Sequence, residues 1–173
     1  MSTAERSIET TPYMSDPTDP SRHFVMEGAV MHGVDFVWHA TGADTAGQVT
    51  IAQVHFPPGT EFLMHKHARE DEAFLVIEGE LTIRDPDAEH DFVARPGQMV
   101  WSPRDRKHTY ANTGTIPAHV IVVMTPGTGL EGVFRDNIKN TLPDVGEFAA
   151  YTEQSYGVTL FPDEPSAGTV RGY

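Results

Sequence analysis

The chain has 173 residues, 39% of them hydrophobic and 21% charged, a composition that favours one globular domain and excludes a disordered chain. Its net charge of −13 makes nucleic acid an unexpected partner, and its longest apolar run, residues 118–124, is far shorter than the ~20 residues of a membrane-spanning helix. No cysteine and no apolar leader segment are present, so we expect a cytoplasmic protein without disulfides or membrane contact.

Short β-forming segments dominate the first three quarters of the chain. Residues 1–22 are rich in Ser, Thr, Pro and Asp and predict a flexible N-terminal arm. From residue 23 to 126, turn signals separate the segments FVMEGAV, VDFVWHA, GQVTIAQVHF, EAFLVIE, ELTIR, HDFVA, QMVWS, KHTYAN and AHVIVVM. Many short strands at this spacing predict an antiparallel β-sandwich or barrel.

The pattern becomes helical after residue 126. Leu130, Val133, Phe134 and Ile138 recur at helical spacing, residues 144–157 predict a second short helix, and VTLF predicts a closing extended segment. Residues 127–161 therefore form a helical C-terminal cover, whose apolar side chains either cover the core or close a pocket as a lid. Residues 162–173 predict a loose tail.

Four side chains suggest a metal site. His65 and His67 stand one residue apart in a predicted strand and so share a face. Glu72 follows across a short turn at the start of the next strand, and His108 lies on a further one. Three imidazoles and a carboxylate suit Fe(II), Mn(II), Ni(II), Co(II) or Zn(II) and leave room for water, substrate or dioxygen. Taken separately, a His-x-His pair on a strand is most often solvent-facing, and the acidic run at residues 69–72 is ordinarily a solvated turn.

The spacing of these residues resembles that of the cupin superfamily. The first cupin motif, G-x5-HxH-x3,4-E-x6-G, is matched at Gly59, His65, His67, Glu72 and Gly79. The second motif, G-x5-PxG-x2-H-x3-N, is matched at Gly97, Pro103, His108 and Asn112. Asp105 replaces the second glycine of that motif, which usually serves a turn with positive φ. Because Asp tolerates such a turn better than most residues, we expect the replacement to affect the turn and not the metal.

The resemblance implies a fold, a cofactor and an assembly. The fold is all-β, the double-stranded β-helix or jelly-roll barrel of single-domain cupins, with a short helical C-terminal segment. The cofactor is one divalent transition metal ion per chain, with Fe(II) favoured, bound by the three histidines and Glu72. The chain looks most similar to the quercetin-dioxygenase-like group, and the resemblance implies a homodimer.

Strand alternation adds candidate pocket residues. Phe74 and Val76 share the face of Glu72, and Tyr110 shares the face of His108, so Phe74 and Val76 either bind substrate or pack the barrel.

The favoured function is a dioxygenase that acts on a small enol or phenolic substrate in a hydrophobic barrel pocket. Glu72 would be the base for the substrate hydroxyl, and Tyr110 would orient dioxygen. The alternatives are a redox-neutral metal-dependent cupin of secondary metabolism (isomerase, cyclase, decarboxylase or lyase) and a non-catalytic ligand-binding cupin.

Overall fold

The computed structural model describes residues 14–26, 32–88, 90–127, 129–138 and 145–165. This part of the chain contains eleven strands and two helices. Their bounds in chain order are β1 His23–Val25, β2 Asp35–Ala40, β3 Thr50–Phe56, β4 Met64–His67, β5 Asp71–Glu78, β6 Leu81–Arg84, β7 Phe92–Ala94, β8 Met99–Ser102, β9 Thr109–Ala111, β10 Ala118–Thr125, α1 Glu131–Ile138, α2 Val145–Tyr156 and β11 Val158–Phe161.

The strands form two layers. One layer is a six-stranded antiparallel sheet in the order β1-β2-β3-β10-β5-β8. The other combines the three-stranded sheet β7-β6-β9 with the pair β11-β4. Backbone hydrogen bonds between residues 59–65 and 108–112 join these two parts, among them a bond of 2.9 Å from the Phe62 amide to the Tyr110 carbonyl. The core lies between the layers.

The two central strands of the six-stranded sheet show why the chain folds this way. β3 and β10 bury every second side chain, the alternation expected of a sheet with one face on a core. Val54 of β3 lies opposite Val120 of β10, and both are fully buried. Each buried valine of this kind stabilises the fold by about 1.5–3 kcal/mol relative to an exposed position.

The C-terminal helices cover one side of the core. Leu130, Val133 and Phe134 are buried in the hydrophobic core, and the Phe134 ring lies 4.8 Å from that of Phe36. These contacts are those of core cover, the simpler of the two predicted roles. The side chain of Ile138 and residues 139–144 lie outside the described residues.

The predicted domain boundaries fall on segments described only in part. Residues 14–22, the described part of the predicted N-terminal arm, lie before β1, and residues 1–13 lie outside the described residues. Residues 27–31, which include most of the predicted first strand, and residues 166–173 of the tail also lie outside. The boundaries at 22, 126 and 161 stay predictions. Among the helices of the described ranges, none combines the length and apolar character needed to span a membrane.

An ion pair anchors the segment before β1 to the turn after β2. Arg22 donates two hydrogen bonds of 2.8 and 3.0 Å to the Asp44 carboxylate, which also accepts one from the Thr41 amide. The Arg22 hydrogen bonds are the main reason that the pKa of Asp44 falls from 3.8 to about 2. Because the folded state has the lower pKa, the pair stabilises the protein above about pH 3.8 and loses this effect as the pH falls toward 2.

Asp44→Asn should therefore destabilise the protein in a pH-dependent way. We expect the free energy of unfolding to fall by about 1 kcal/mol near neutral pH, a value discounted for partial exposure of the pair. The difference between parent and variant should shrink steadily below pH 3.8. Urea unfolding curves across this range measure it, and a difference that stays constant with pH would contradict the linkage.

Candidate metal centre

Backbone pairing brings the three predicted histidine ligands together. His65 and His67 are buried neighbours on β4, where alternation gives them the same face. His108 lies one residue before β9 and forms a bridge with His65, in which each backbone amide donates to the other carbonyl at 2.9 and 2.8 Å. On its other side, β4 pairs with β11, which places Leu160 opposite His65. Both neighbours of β4 therefore hold the imidazoles in position.

The fourth predicted ligand arrives from the facing sheet. Glu72 is the second residue of β5 and is 2% exposed, with Phe74 and Val76 buried on the same face. One ligand atom from each of His65, His67, Glu72 and His108 lies within 4.8 Å of the others, and all four residues are buried. The structure thus brings together the whole predicted ligand set in an arrangement that could hold one metal ion.

Hydrogen bonding fixes how His65 faces this point. Its Nδ1 lies 2.8 Å from the Leu63 carbonyl oxygen, which can only accept, so Nδ1 carries the proton and Nε2 keeps a free lone pair. Burial is the main cause that lowers the pKa of this imidazole well below its usual range, and the charges of His108 and His67 add to it. His65 is therefore neutral at neutral pH, the state required of a metal ligand.

The contact between His108 and Glu72 would be stabilised by a positive charge between the two side chains. His108 Nδ1 faces the Arg106 carbonyl at 3.3 Å, and His108 Nε2 lies 3.2 Å from Glu72 Oε2. If Nδ1 carries the proton, Nε2 and the carboxylate oxygen meet as two acceptors unless a second proton or a metal ion lies between them. Burial alone raises the pKa of Glu72, but its contacts with His108 and His67 outweigh this effect, so the net pKa lies below its usual range.

His67 provides a further sign that the site suits a cation. Its Nδ1 and Nε2 are both buried, and neither has a hydrogen-bond partner within the part of the chain that the structure describes. Its Nε2 lies 3.3 Å from Glu72 Oε2. Buried polar atoms nearly always have partners, and an ion in the site would give one of these two nitrogens its partner.

Aromatic side chains surround the ligand cluster. The ring of Phe62 stacks on that of Tyr110 at 5.4 Å and meets His65 edge-on at 4.9 Å, and Phe74 lies 5.1 Å from Tyr110. The ring of Tyr110 lies 5.9 Å from that of His65. Burial, assisted by the charge of Glu72, raises the pKa of the Tyr110 hydroxyl well above its usual value. This phenol is therefore protonated at neutral pH, so it can donate a hydrogen bond and does not act as a base.

The turn that carries the second motif has the conformation predicted for Asp105. Its φ is 63°, in the left-handed region, and its backbone amide donates a 2.7 Å hydrogen bond to the carbonyl of His67. Asp105 thus adopts the left-handed conformation that glycine usually provides in this turn, and its backbone keeps the hydrogen bond to β4.

Asp105→Gly should accordingly leave the site intact. Glycine adopts this φ without strain, while it raises the entropy of the unfolded chain, so we expect unfolding free energy to change by less than about 1 kcal/mol. Metal content should stay the same in elemental analysis. A large loss of either quantity would show that the carboxylate of Asp105 has a role beyond the turn.

Other contacts of the site were missed by the sequence analysis. Arg104 binds the Asp71 carboxylate through its backbone amide and its guanidinium, at 2.8 to 3.1 Å, and so links the two motif segments. This ion pair lies in an acidic run that suggests only a solvated turn. The pairing of β11 with β4 was also missed, because the extended segment was predicted without its partner.

Comparison with known families agrees with this geometry. Residues 52–124 match the family model of the cupin domain, and this segment contains all four ligand candidates. This segment is similar to a cupin domain. The all-β prediction, a double-stranded β-helix with short C-terminal helices, is confirmed. A search of the curated proteins found no significant match to this chain.

Several solved structures are similar to this chain in fold. The polyketide cyclase RemF from Streptomyces resistomycificus has a TM-score of 0.55 at 16% identity, over 66% of this chain and 80% of that one. A predicted oxalate decarboxylase from Thermotoga maritima has a TM-score of 0.51 at 21% identity, over 60% and 90%. A sugar phosphate isomerase of the cupin superfamily from Silicibacter pomeroyi has a TM-score of 0.49 at 28% identity, over 59% and 65%.

Proposed function

We propose that this protein is a metal-dependent enzyme and that His65, His67, Glu72 and His108 bind its ion. The observation that carries the proposal is the convergence of three imidazoles and one carboxylate within 4.8 Å in a buried site. Such a cluster of acceptors is costly to bury without a positive charge among them. A bound cation offsets this cost and gives one of the two unpartnered nitrogens of His67 a partner.

One divalent transition metal ion per chain fits this ligand set. Bound there, the ion supplies Lewis acidity and open coordination positions for substrate. We favour Fe(II), and Mn(II), Ni(II), Co(II) and Zn(II) suit the same donors. The Leu63 carbonyl supports the role of His65, because it holds the imidazole with Nε2 directed away from its own strand.

For the reaction we propose a dioxygenase that acts on a small enol or phenol. The aromatic side chains of Phe62, Phe74 and Tyr110 support this assignment, since flat apolar walls suit a planar conjugated substrate and exclude water. Phe74 and Val76 would contact the substrate. Glu72 would accept its hydroxyl proton, and the protonated Tyr110 would donate a hydrogen bond that orients dioxygen.

Oxygen uptake tests this proposal directly. Protein purified without a histidine tag should contain about one ion per chain, and it should consume dioxygen in the presence of a member of an enol and phenol panel. Chelation should abolish the uptake and Fe(II) should restore it, with apoprotein as the control. No uptake by iron-loaded protein with any substrate would overturn the dioxygenase assignment and leave metal binding to be judged by the elemental analysis.

A redox-neutral reaction is the second candidate. The chain is similar in fold to a polyketide cyclase and to a predicted oxalate decarboxylase. This similarity favours the candidate, because cyclisation and decarboxylation are both redox-neutral reactions. Turnover that proceeds without dioxygen would support this candidate. A non-catalytic ligand-binding cupin would instead bind ligands after chelation, without turnover.

We also propose that the protein is a cytoplasmic homodimer. Met99 and Trp101 on the edge strand β8 are 62% and 49% exposed and point away from the barrel, a surface that suits contact with another copy. We place the dimer in the cytoplasm because a chain without cysteine needs no oxidising compartment. Light scattering should give twice the chain mass of 19.1 kDa, whereas a mass of 19.1 kDa at micromolar concentration would contradict the dimer.

A further inference from the structure

Ser102 lies beside the candidate metal centre, although neither motif assigns it a role. It is the last residue of β8 and pairs directly with Glu72 of β5 in the antiparallel register. Side chains opposite each other in such a pair share a face, with Cβ atoms about 4.5–5.5 Å apart. Ser102 is 5% exposed and therefore points into the barrel next to the carboxylate of Glu72.

The Ser102 hydroxyl has no structural task in the described ranges of the chain. No group there donates a hydrogen bond to it or accepts one from it. Thr50 gives a contrast. Met124 of β10 pairs with Glu72 on one side and with Thr50 of β3 on the other, so Thr50 is the second hydroxyl-bearing residue at this level of the sheet. The Thr50 hydroxyl donates to a carboxylate oxygen of Glu131 at 3.2 Å and so links β3 to α1.

The other side chains next to Glu72 on its face of the sheet are apolar. Met124 lies opposite it on β10, and Phe74 follows it on the same face of β5. Within this sheet, a substrate at the metal centre would find hydrocarbon on these sides and a hydroxyl on the β8 side. Ser102 as a residue is only 5% exposed, and no side chain or backbone group in the described ranges occupies its hydroxyl, so a hydroxyl at this position fits a group that binds a ligand.

We propose that Ser102 is a substrate-binding residue whose hydroxyl donates a hydrogen bond to an oxygen of the substrate held at the metal centre. The inference rests on the proposed function. It narrows the substrate to molecules with two neighbouring oxygens, one that binds the ion and a carbonyl, carboxylate or enolate oxygen that accepts from Ser102. The register of β8 against β5 therefore sets part of the specificity.

Acetohydroxamate, which binds metal ions through two adjacent oxygens, is a suitable probe. Its Kd is measured by absorbance titration of the Co(II)-loaded full-length protein and its variants, each with its metal content determined. Ser102→Ala should weaken binding about 10-fold or more, as expected for loss of a hydrogen bond to a charged oxygen. Ser102→Thr keeps the hydroxyl and should restore binding to within about threefold. Val100→Ala, the matched control two residues earlier on β8, should also stay within about threefold of the parent.

Thermal unfolding provides a second readout. Ser102→Ala should leave Tm unchanged or raise it, because it removes a hydroxyl that has no partner in the fold. Equal probe affinity in parent and Ser102→Ala, with the ion retained in both, would overturn the inference and leave the proposed function standing. Loaded parent protein that does not bind the probe would also overturn it. A parent protein that takes up no ion would overturn the inference and the proposed function together.

Discussion

Replacing His65 or His108 by alanine is expected to lower the metal content from about one ion per chain to below about 0.1 after dialysis. Each variant removes one of four converging donors, and even the loss of a supporting hydrogen bond around a metal ligand costs 10–100-fold in affinity. Catalytic activity should be lost with the ion. Elemental analysis of tag-free protein, combined with the activity assay, measures both effects.

His119→Ala is the matched control for this experiment. His119 lies on β10 with its ring stacked on that of His55 at 4.5 Å, on the face of the sheet away from the ligands. Its loss removes a half-buried imidazole from the protein without removing a donor from the site. A His65→Ala protein that keeps full metal content, or a His119→Ala protein that loses it, would contradict the assignment of the ligands.

Gly79→Ala is expected to destabilise the fold by about 3 kcal/mol or more. Gly79 has a φ of 74°, and a Cβ there would lie 2.6 Å from the Pro117 carbonyl oxygen and 2.9 Å from the Ala118 Cα. Both contacts are with backbone, so they cannot be relieved by turning a side chain. The turn would have to move away from the start of β10, which pairs with β5 and carries the core. Chemical denaturation measures the loss.

Gly97→Ala separates conformational strain from steric clash. Gly97 has a similar φ of 84°, but a Cβ there would have nothing within 4 Å. Only the left-handed conformation penalises alanine at this position, by about 1–2 kcal/mol. If Gly79→Ala and Gly97→Ala lowered the free energy of unfolding equally, the contact with Pro117 would contribute nothing. Backbone conformation alone would then explain why both positions need glycine.

The candidate metal centre lowers the stability of the fold when no ion is bound. Four buried polar side chains converge where apolar residues would pack without cost, and two nitrogens of His67 have no hydrogen-bond partner in the described ranges. Such local costs are typical of functional sites and persist because the surrounding structure compensates for them. Here the compensation comes from the paired strands β4 and β11 and from the Arg104–Asp71 link between the motif segments. Removal of the ion should therefore loosen the site before it unfolds the barrel.

Local features of the sequence were sufficient to predict which strand faces the candidate ligands occupy, whereas the set of four ligands was implied by the spacing of the two cupin-like motifs. The alternation of strand side chains placed His65 with His67 and predicted that Phe74 and Val76 point inward with Glu72, as the structure shows. The preference of Asp for left-handed turns predicted the conformation of Asp105. Helical spacing predicted the core-facing side of α1. Each of these predictions depends on residues close together in the chain, where geometry follows from the backbone period.

The sequence by itself determined which side chains could bind an ion and which face of each strand they occupy, because both follow from residue type and from a period of two. Only the tertiary structure decided which segments meet. The register that sets Ser102 against Glu72, the pairing of β11 with β4 and the bond between Arg104 and Asp71 join segments that are about 30 to 95 residues apart. Such pairings result from the packing of the whole core and the closure of long loops, and no local pattern encodes them.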